Sequence, residues 1–192
     1  MQSTKPVFIC ADLTLHIAKM HPSKVLFQDQ ISPVFLPVCD HYAGSEKLMH
    51  KSMALQNELA AIFDITFDCE DGAATGNEID HAKLVAQLIA SDENIHQRIG
   101  ARIHDIDSEF FDSDFEIILS GAANKLAYLV IPKVDNAKQV SGAIKRINQI
   151  AKAHDRTHLP VHVLIETHNA LAAVDDIAAL PQVECLSFGI MD

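Results

Sequence analysis

Charged side chains follow the apolar runs of this chain at one recurrent position, directly after the last apolar residue. The first of these runs is followed by the acidic segment 68–71, three later runs are followed by Arg102, Lys133 and Glu166, and the last is followed by Asp192. Short apolar runs are typical of buried parallel strands, whose carboxyl ends meet at one edge of a sheet. Independent runs that each deliver a charge at the same position predict an enzyme active site at that edge.

Glu166 and Asp192 carry the hard carboxylate oxygens that Mg²⁺ and Mn²⁺ prefer. Two protein carboxylates are enough for Mg²⁺, because water and substrate oxygens complete its coordination. A second interpretation stays open, in which Glu166 only interacts with the N-terminus of the following helix. The sequence therefore predicts a metal site at Glu166 and Asp192 that takes Mg²⁺, with Mn²⁺ as the alternative.

Arg102, Lys133 and His104 are candidate substrate-binding residues. A guanidinium at a strand end holds a carboxylate through two hydrogen bonds or stabilises an oxyanion, and its alternative role is a structural ion pair with Glu70 or Asp71. A Schiff-base role for Lys133 is disfavoured, because neighbouring carboxylates raise the pKa of a lysine. We expect Lys133 to make an electrostatic or phosphate contact instead, and His104 to line the same site.

Glu70 and Asp71, together with Asp68, place three carboxylates within four residues, and Gly72 after them indicates a tight turn. Like charges this close disfavour ionisation of all three. One acid is therefore expected to pair with Arg102 and another to reach a metal through water, while solvated loop acids are the alternative. We assign Arg102, Glu70 and Asp71 as the candidate catalytic residues.

The elements that must position these residues alternate along the chain, with short strands followed by amphipathic helices, as in βαβ units with a parallel sheet. Strand ends recur roughly every 30 residues, close to the repeat of an eight-unit barrel. No glycine-rich dinucleotide or P-loop motif follows a strand, which disfavours a doubly wound sheet. The predicted strands are 34–37, 64–69, 100–103, 127–132, 161–165 and 185–189, and the predicted helices are 46–61, 77–91, 108–120, 136–154 and 170–180.

The predicted fold class is therefore α/β, a TIM (β/α)8 barrel that is truncated after about six of its eight strands. Residues 1–30 are predicted to be an N-terminal extension, and residues 31–192 a partial (β/α)8-barrel domain. A truncated barrel leaves open sheet edges, which favour self-association.

The composition of the 192 residues, 48% apolar, predicts a globular protein with a substantial core. The net charge of −11 disfavours nucleic acid or an anionic membrane as the main partner. Four widely spaced cysteines without a C-x-x-C pair indicate reduced thiols. Without a signal-peptide pattern or a run of about 18 apolar residues, we expect a soluble cytoplasmic protein.

Five motifs occur in order along the chain: FDCEDGA at 67–73, ARIHD at 101–105, VIPKV at 130–134, LIET at 164–167 and FGIMD at 188–192. On these motifs the chain resembles the HpcH/HpaI aldolase and citrate lyase β-subunit family. The resemblance implies a TIM barrel, assembly into a homo-oligomer of three or six chains, and Mg²⁺ held by Glu166 and Asp192. It also implies that Arg102 binds substrate and that Glu70 and Asp71 lie around the substrate and the metal waters.

The activity implied by this resemblance is reversible cleavage of a 3-hydroxyacyl-CoA, such as citryl-CoA or malyl-CoA, into an acyl-CoA and a 2-oxo acid. The expected partners are therefore these small molecules. Two alternatives remain open. One is a metal-dependent aldolase that acts on free hydroxy-keto acids, and the other is a catalytically silent fragment or subunit.

Overall fold

Six parallel strands, hydrogen-bonded in chain order, form one sheet in the computed structural model, which describes residues 36, 37 and 39–189. The strands are β1 (Asp40–Ala43), β2 (Asp64–Asp68), β3 (Ile99–Arg102), β4 (Leu126–Ile131), β5 (Val161–Ile165) and β6 (Val183–Phe188). The helices are α1 (Glu46–Glu58), α2 (Glu78–Ala90), α3 (Phe111–Ala122), α4 (Ala137–Ala153), α5 (His168–Ala172) and α6 (Val174–Ala178). The sheet curls into a half-barrel, so the predicted α/β class and truncated TIM barrel are confirmed.

The two faces of this sheet differ in polarity because side chains alternate along each strand. On the convex face, residues such as Ile65, Phe67 and Ala101 are fully buried in the apolar core beneath the helices. The concave face carries the polar side chains Thr66 and Asp68 of β2, together with a small apolar group of Tyr128, Val130 and Leu164. The carboxyl ends of the strands therefore combine a rigid apolar support with a polar inner surface.

The predicted first strand, 34–37, is the main error of the sequence analysis. Its first two residues lie outside the described part, whereas Leu36 and Pro37 are described and are not in a strand. The first described strand is β1, which pairs with β2 in the register Asp40 to Asp64. Because the side chains Asp40 and Tyr42 meet the polar concave face, β1 lacks the apolar run on which the prediction relied.

The remaining strands lie within two residues of their predicted bounds, but three helices differ more. Helix α3 begins at Phe111, three residues after its predicted start. The predicted helix 170–180 is two short helices, because Ala173 leaves the helical conformation at φ −104° and ψ 14°. Helix α1 ends early, because Ala60 and Ala61 adopt left-handed φ angles of 52° and 55°.

No helix in the described part of the chain is long and apolar enough to cross a lipid bilayer. The described residues from Pro37 onward belong to one compact unit. The predicted extension, residues 1–30, and the predicted metal ligand Asp192 lie outside the described residues.

Candidate active site

An ion pair between Asp68 and Arg102 forms the centre of the site. The two residues stand opposite each other at the ends of β2 and β3. Arg102 donates from Nε to Oδ1 of Asp68 at 2.8 Å and from Nη2 to Oδ2 at 2.6 Å, and both side chains are buried. The amides of Glu70 and Gly72 donate to the same carboxylate at 3.0 and 2.8 Å. Asp68 therefore fixes both the guanidinium and the loop after β2.

Glu70 and Asp71 form ion pairs with the third nitrogen of this guanidinium, Nη1, and with the ammonium group of Lys133. Nη1 of Arg102 is 3.0 Å from Glu70 and 4.0 Å from Asp71. Nζ of Lys133 is 2.5 Å from Glu70 and 3.2 Å from Asp71. Four of the predicted site residues thus meet in one charged cluster at the carboxyl edge of the sheet.

The electrostatic effects within this cluster oppose one another. Burial raises the pKa of Glu70, although Lys133 and Arg102 act against it. At the half-exposed Asp71, burial acts to raise the pKa, but the combined effect of Lys133, Arg102 and Glu70 lowers it. Close contact with Glu70 raises the pKa of Lys133. A protonated lysine is a poor nucleophile, so the raised pKa agrees with the argument against a Schiff base, and the role of Lys133 stays a prediction.

Glu166, at the end of β5, is linked to this cluster through the main chain of Lys133. The amide of Lys133 donates to Oε1 of Glu166 at 2.5 Å, and Lys133 adopts a left-handed φ of 51°. Gly189 lies beside the same carboxylate, and a side-chain carbon at that position would be 3.0 Å from Oε2 of Glu166. A larger residue would therefore crowd this carboxylate.

Tyr42, at the end of β1, covers the guanidinium from one side. Its ring centroid lies 5.3 Å from Cζ of Arg102, within the range of a cation–π contact. The neighbouring turn needs glycine, because a side-chain carbon on Gly44 would lie 1.8 Å from the carbonyl oxygen of Gly72. The end of β1 is therefore packed directly against the loop that carries the acidic residues.

His104, which is predicted to line the site, contacts residues at the start of α3. Its Nδ1 is 2.6 Å from Oδ2 of Asp114, and its amide donates to the same oxygen at 2.9 Å. Burial raises the pKa of Asp114, which lies in the first turn of α3. The ring also contacts Phe110 at 5.2 Å between centroids. These contacts connect His104 to α3, and its role in substrate binding stays a prediction.

Two residues of the site are not among the site residues assigned from the sequence. Asp68 was named only as one of three acids, any of which could pair with Arg102, and it is the main partner of that arginine. The signal in the sequence was that Asp68 directly follows an apolar run, as Arg102 does, whereas the register that pairs the two residues is seen only in the structure. Tyr42 was missed because the strand that carries it was placed too early in the chain.

The residues around Glu166 fit a divalent cation only in part. Within the described residues, no group of three metal-binding side chains comes together. Mg²⁺ is commonly held by one or two carboxylates together with water, so the carboxylate of Glu166 at a strand end is compatible with it. The predicted second ligand, Asp192, lies outside the described residues.

Comparison with known sequences and structures gives a consistent result. The family model described as HpcH/HpaI aldolase/citrate lyase matches residues 47–192. An L-malyl-CoA/beta-methylmalyl-CoA lyase of Cereibacter sphaeroides is 28% identical over 151 residues, which are 78% of this chain and 46% of that protein. The chain thus spans about half the length of the curated relatives it matches.

Two solved structures illustrate the likeness in fold. A citrate lyase from Burkholderia xenovorans is 47% identical, with a TM-score of 0.79 over 82% of this chain and 49% of that one. CitE from Mycobacterium tuberculosis, in complex with magnesium and acetate, is 18% identical, with a TM-score of 0.57 over 81% of this chain and 56% of that one. At that identity the second likeness concerns the fold alone.

Proposed function

The chain belongs to the HpcH/HpaI aldolase/citrate lyase family, and we propose that it is a metal-dependent carbon–carbon lyase that cleaves or forms a 3-hydroxyacyl-CoA. The products of cleavage are an acyl-CoA and a 2-oxo acid. One observation carries this proposal: the guanidinium of Arg102 is held by Asp68 beside Glu70 and Lys133 at the carboxyl edge of the sheet. A relative named as a malyl-CoA lyase supports the substrate class.

In this proposal Arg102 binds the oxygen on which negative charge develops during cleavage. Its Nε and Nη2 are occupied by Asp68, so the guanidinium is fixed before substrate arrives. A preorganised donor costs no reorganisation when charge develops, which is why such donors stabilise oxyanions strongly. Nη1 faces Glu70 and Asp71 and is the nitrogen that we assign to the substrate.

Glu70 is the group that we propose for proton transfer. In cleavage the 3-hydroxyl loses its proton, the carbon–carbon bond breaks, and its electron pair stays on the acyl-CoA as an enolate. Glu70 accepts the hydroxyl proton on its carboxylate and returns a proton to the enolate carbon, so the step is balanced. Burial raises the pKa of Glu70, which brings a carboxyl group closer to the range needed for this exchange. Asp71, whose pKa is lowered, remains a carboxylate and holds Lys133.

Glu166 and Asp192 are the residues that would hold the metal, for which Mg²⁺ is proposed and Mn²⁺ is the alternative. Structures of CitE from Mycobacterium tuberculosis with magnesium, including one with acetoacetate and coenzyme A, support this choice. A divalent cation bound there supplies Lewis-acid stabilisation of oxygen anions. Oxygen ligands alone do not distinguish Mg²⁺ from Mn²⁺.

The test is a calorimetric titration of the chain with Mg²⁺ and oxaloacetate, glyoxylate or pyruvate, followed by assays for citryl-CoA and malyl-CoA cleavage. Arg102→Lys keeps the charge but loses the bidentate contact with Asp68. We expect at least about a hundredfold loss of kcat/KM. Glu166→Gln is expected to abolish metal-dependent binding. Matched controls on helices away from the site, Arg146→Lys and Glu116→Gln, should leave both properties unchanged.

Three results would separate this proposal from its rivals. Binding of free hydroxy-keto acids with turnover, and no turnover of CoA esters, would favour the metal-dependent aldolase. Oxo-acid binding that persists in Glu166→Gln would contradict the assigned metal site. A folded wild-type chain that binds neither metal nor oxo acid would contradict the proposed function for this chain.

A further inference from the structure

The hydroxyl of Tyr42 is a buried hydrogen-bonding group for which the described residues provide no partner. A buried polar group that lacks a partner destabilises a protein unless a ligand or water completes it. The chain contains two tyrosines, and the second behaves differently. Tyr128 Oη lies 3.0 Å from Thr66 Oγ1 and 3.2 Å from Asp40 Oδ1. The unmatched hydroxyl of Tyr42 is therefore not a general property of this sheet.

The position of Tyr42 directs its hydroxyl toward the site. Its ring lies against the guanidinium of Arg102, and Tyr42 is on the strand next to Asp68. Burial, and then the charge of Asp40, raise the pKa of the phenol, with smaller effects from Arg102, Asp68 and Cys185. These neighbours come from β1, β2, β3 and β6, so the hydroxyl faces the concave side of the sheet. A phenol with a raised pKa stays protonated and remains a donor.

We propose that Tyr42 donates a hydrogen bond to an anionic oxygen of the bound 2-oxo acid, beside Arg102. This inference rests on the proposed function and deepens it, because it adds a substrate-binding donor that none of the five motifs contains. The ring orients the guanidinium, and the hydroxyl extends the set of donors from a neighbouring strand. The oxo acid replaces the missing partner of the hydroxyl when it binds.

The test compares Tyr42→Phe with Tyr128→Phe, two substitutions that each remove only a hydroxyl. Melting temperatures are measured without ligand, and oxaloacetate and pyruvate are titrated in the presence of Mg²⁺. Because Tyr42 Oη has no partner to lose among the described residues, Tyr42→Phe should melt no lower than wild type. Tyr128→Phe should melt about 2–4 °C lower, as expected for a lost internal hydrogen bond in a chain of this size.

For oxo-acid binding, the order of the two variants should be the reverse of their order in melting temperature. Tyr42→Phe is expected to weaken binding of the oxo acid by about tenfold to a hundredfold, the range for a hydrogen bond to a charged group. Lower stability of Tyr42→Phe, similar to that of Tyr128→Phe, would overturn the inference, because the hydroxyl would then have a structural role. Unchanged oxo-acid affinity in Tyr42→Phe would overturn it as well, and the proposed function would stand. Absence of binding in the folded wild-type chain would instead overturn the proposed function itself.

Discussion

At the scale of single residues, Asp68 is the side chain on which the arrangement of the site depends most. It accepts two hydrogen bonds from Arg102 and two from main-chain amides of the following loop. We expect Asp68→Asn to lower the free energy of unfolding by about 3 kcal/mol, because it removes one partner of a buried ion pair. Asp71→Asn, at a half-exposed carboxylate, should cost less than about 1 kcal/mol. Urea denaturation measures both, and equal losses would contradict this ranking.

The carboxyl group of Asp40 makes stability depend on pH in a definite direction. Burial raises its pKa from the ordinary 3.8 to about 6. A raised pKa means that the folded chain holds this proton more tightly than the unfolded chain, so the contribution is favourable at low pH and is lost as pH rises from 3.8 to about 6. The difference in unfolding free energy between wild type and Asp40→Asn should therefore fall by up to about 3 kcal/mol across that window.

Denaturation of both proteins at a series of pH values measures this difference, since the other titrating groups are shared and largely cancel. A difference that stays constant with pH would show that Asp40 does not titrate with a raised pKa. A difference that grows with pH would contradict the sign of the argument.

The charged residues of the site could be predicted from the sequence because they depend on position along a strand. Arg102, Glu70, Asp71 and Lys133 were identified from the charge that follows each apolar run, and the structure brings them into contact. Their partners could not be read in the same way. Which acid meets Arg102 depends on the register between two strands, and register is set by pairing across the sheet.

At the scale of elements, the N-terminus of α5 connects two strand ends. Thr167 accepts from the amide of Ala170 at 2.9 Å as an N-cap, and its hydroxyl donates to the carbonyl of Val134 at 2.9 Å. Thr167→Val keeps the shape but removes both bonds, and we expect a loss of about 1–2 kcal/mol in unfolding free energy. Thr167→Ser keeps the hydroxyl and serves as the control, expected close to wild type.

Because Thr167 follows Glu166, the same substitution also tests how that carboxylate is positioned. We expect Mg²⁺ affinity, measured by titration calorimetry, to fall in Thr167→Val and to be retained in Thr167→Ser. A destabilised Thr167→Val with unchanged metal affinity would mean that the cap supports α5 but does not position Glu166.

Strand prediction succeeded where a strand is buried on both faces and its sequence is therefore an apolar run. Strands β2 to β5 are covered by helices, and all five residues of β2 and of β5 are buried. The prediction failed for β1, because Asp40 and Tyr42 contribute to a polar barrel interior and interrupt the apolar run. Helices α5 and α6 were predicted as one because a break at a single alanine leaves no compositional signal.

At the scale of the whole molecule, the number of strand–helix repeats along the chain was enough to predict a truncated barrel. Six strands in chain order require the sheet to have two ends, and β1 and β6 are those ends within the described residues.

The number of repeats did not reveal how polar the concave surface is. That surface includes the stack of Tyr128 on His162, with 3.8 Å between ring centroids. Gly100 makes room for this tyrosine, since a side-chain carbon there would lie 2.2 Å from its ring.

The β6 end of the sheet leaves apolar side chains exposed, which predicts salt-dependent self-association. Phe188 on β6 and Leu171 on α5 are 63% and 51% exposed. The net charge of −11 opposes contact between copies, and raising salt from about 0.1 M to about 1 M shortens the screening length from about 10 to about 3 Å. We therefore expect the mass measured by light scattering to increase with salt.

The double substitution Phe188→Asp and Leu171→Glu tests whether this edge is responsible. It adds two negative charges and removes the apolar surface, so association should be abolished at every salt concentration. Ile95→Asp is the matched control, because Ile95 is 66% exposed but lies in the loop between α2 and β3. Association that persists in the double variant, or that disappears equally in Ile95→Asp, would show that the β6 edge does not drive it. Loss of association in the double variant alone would identify this edge as the surface by which copies of the chain meet.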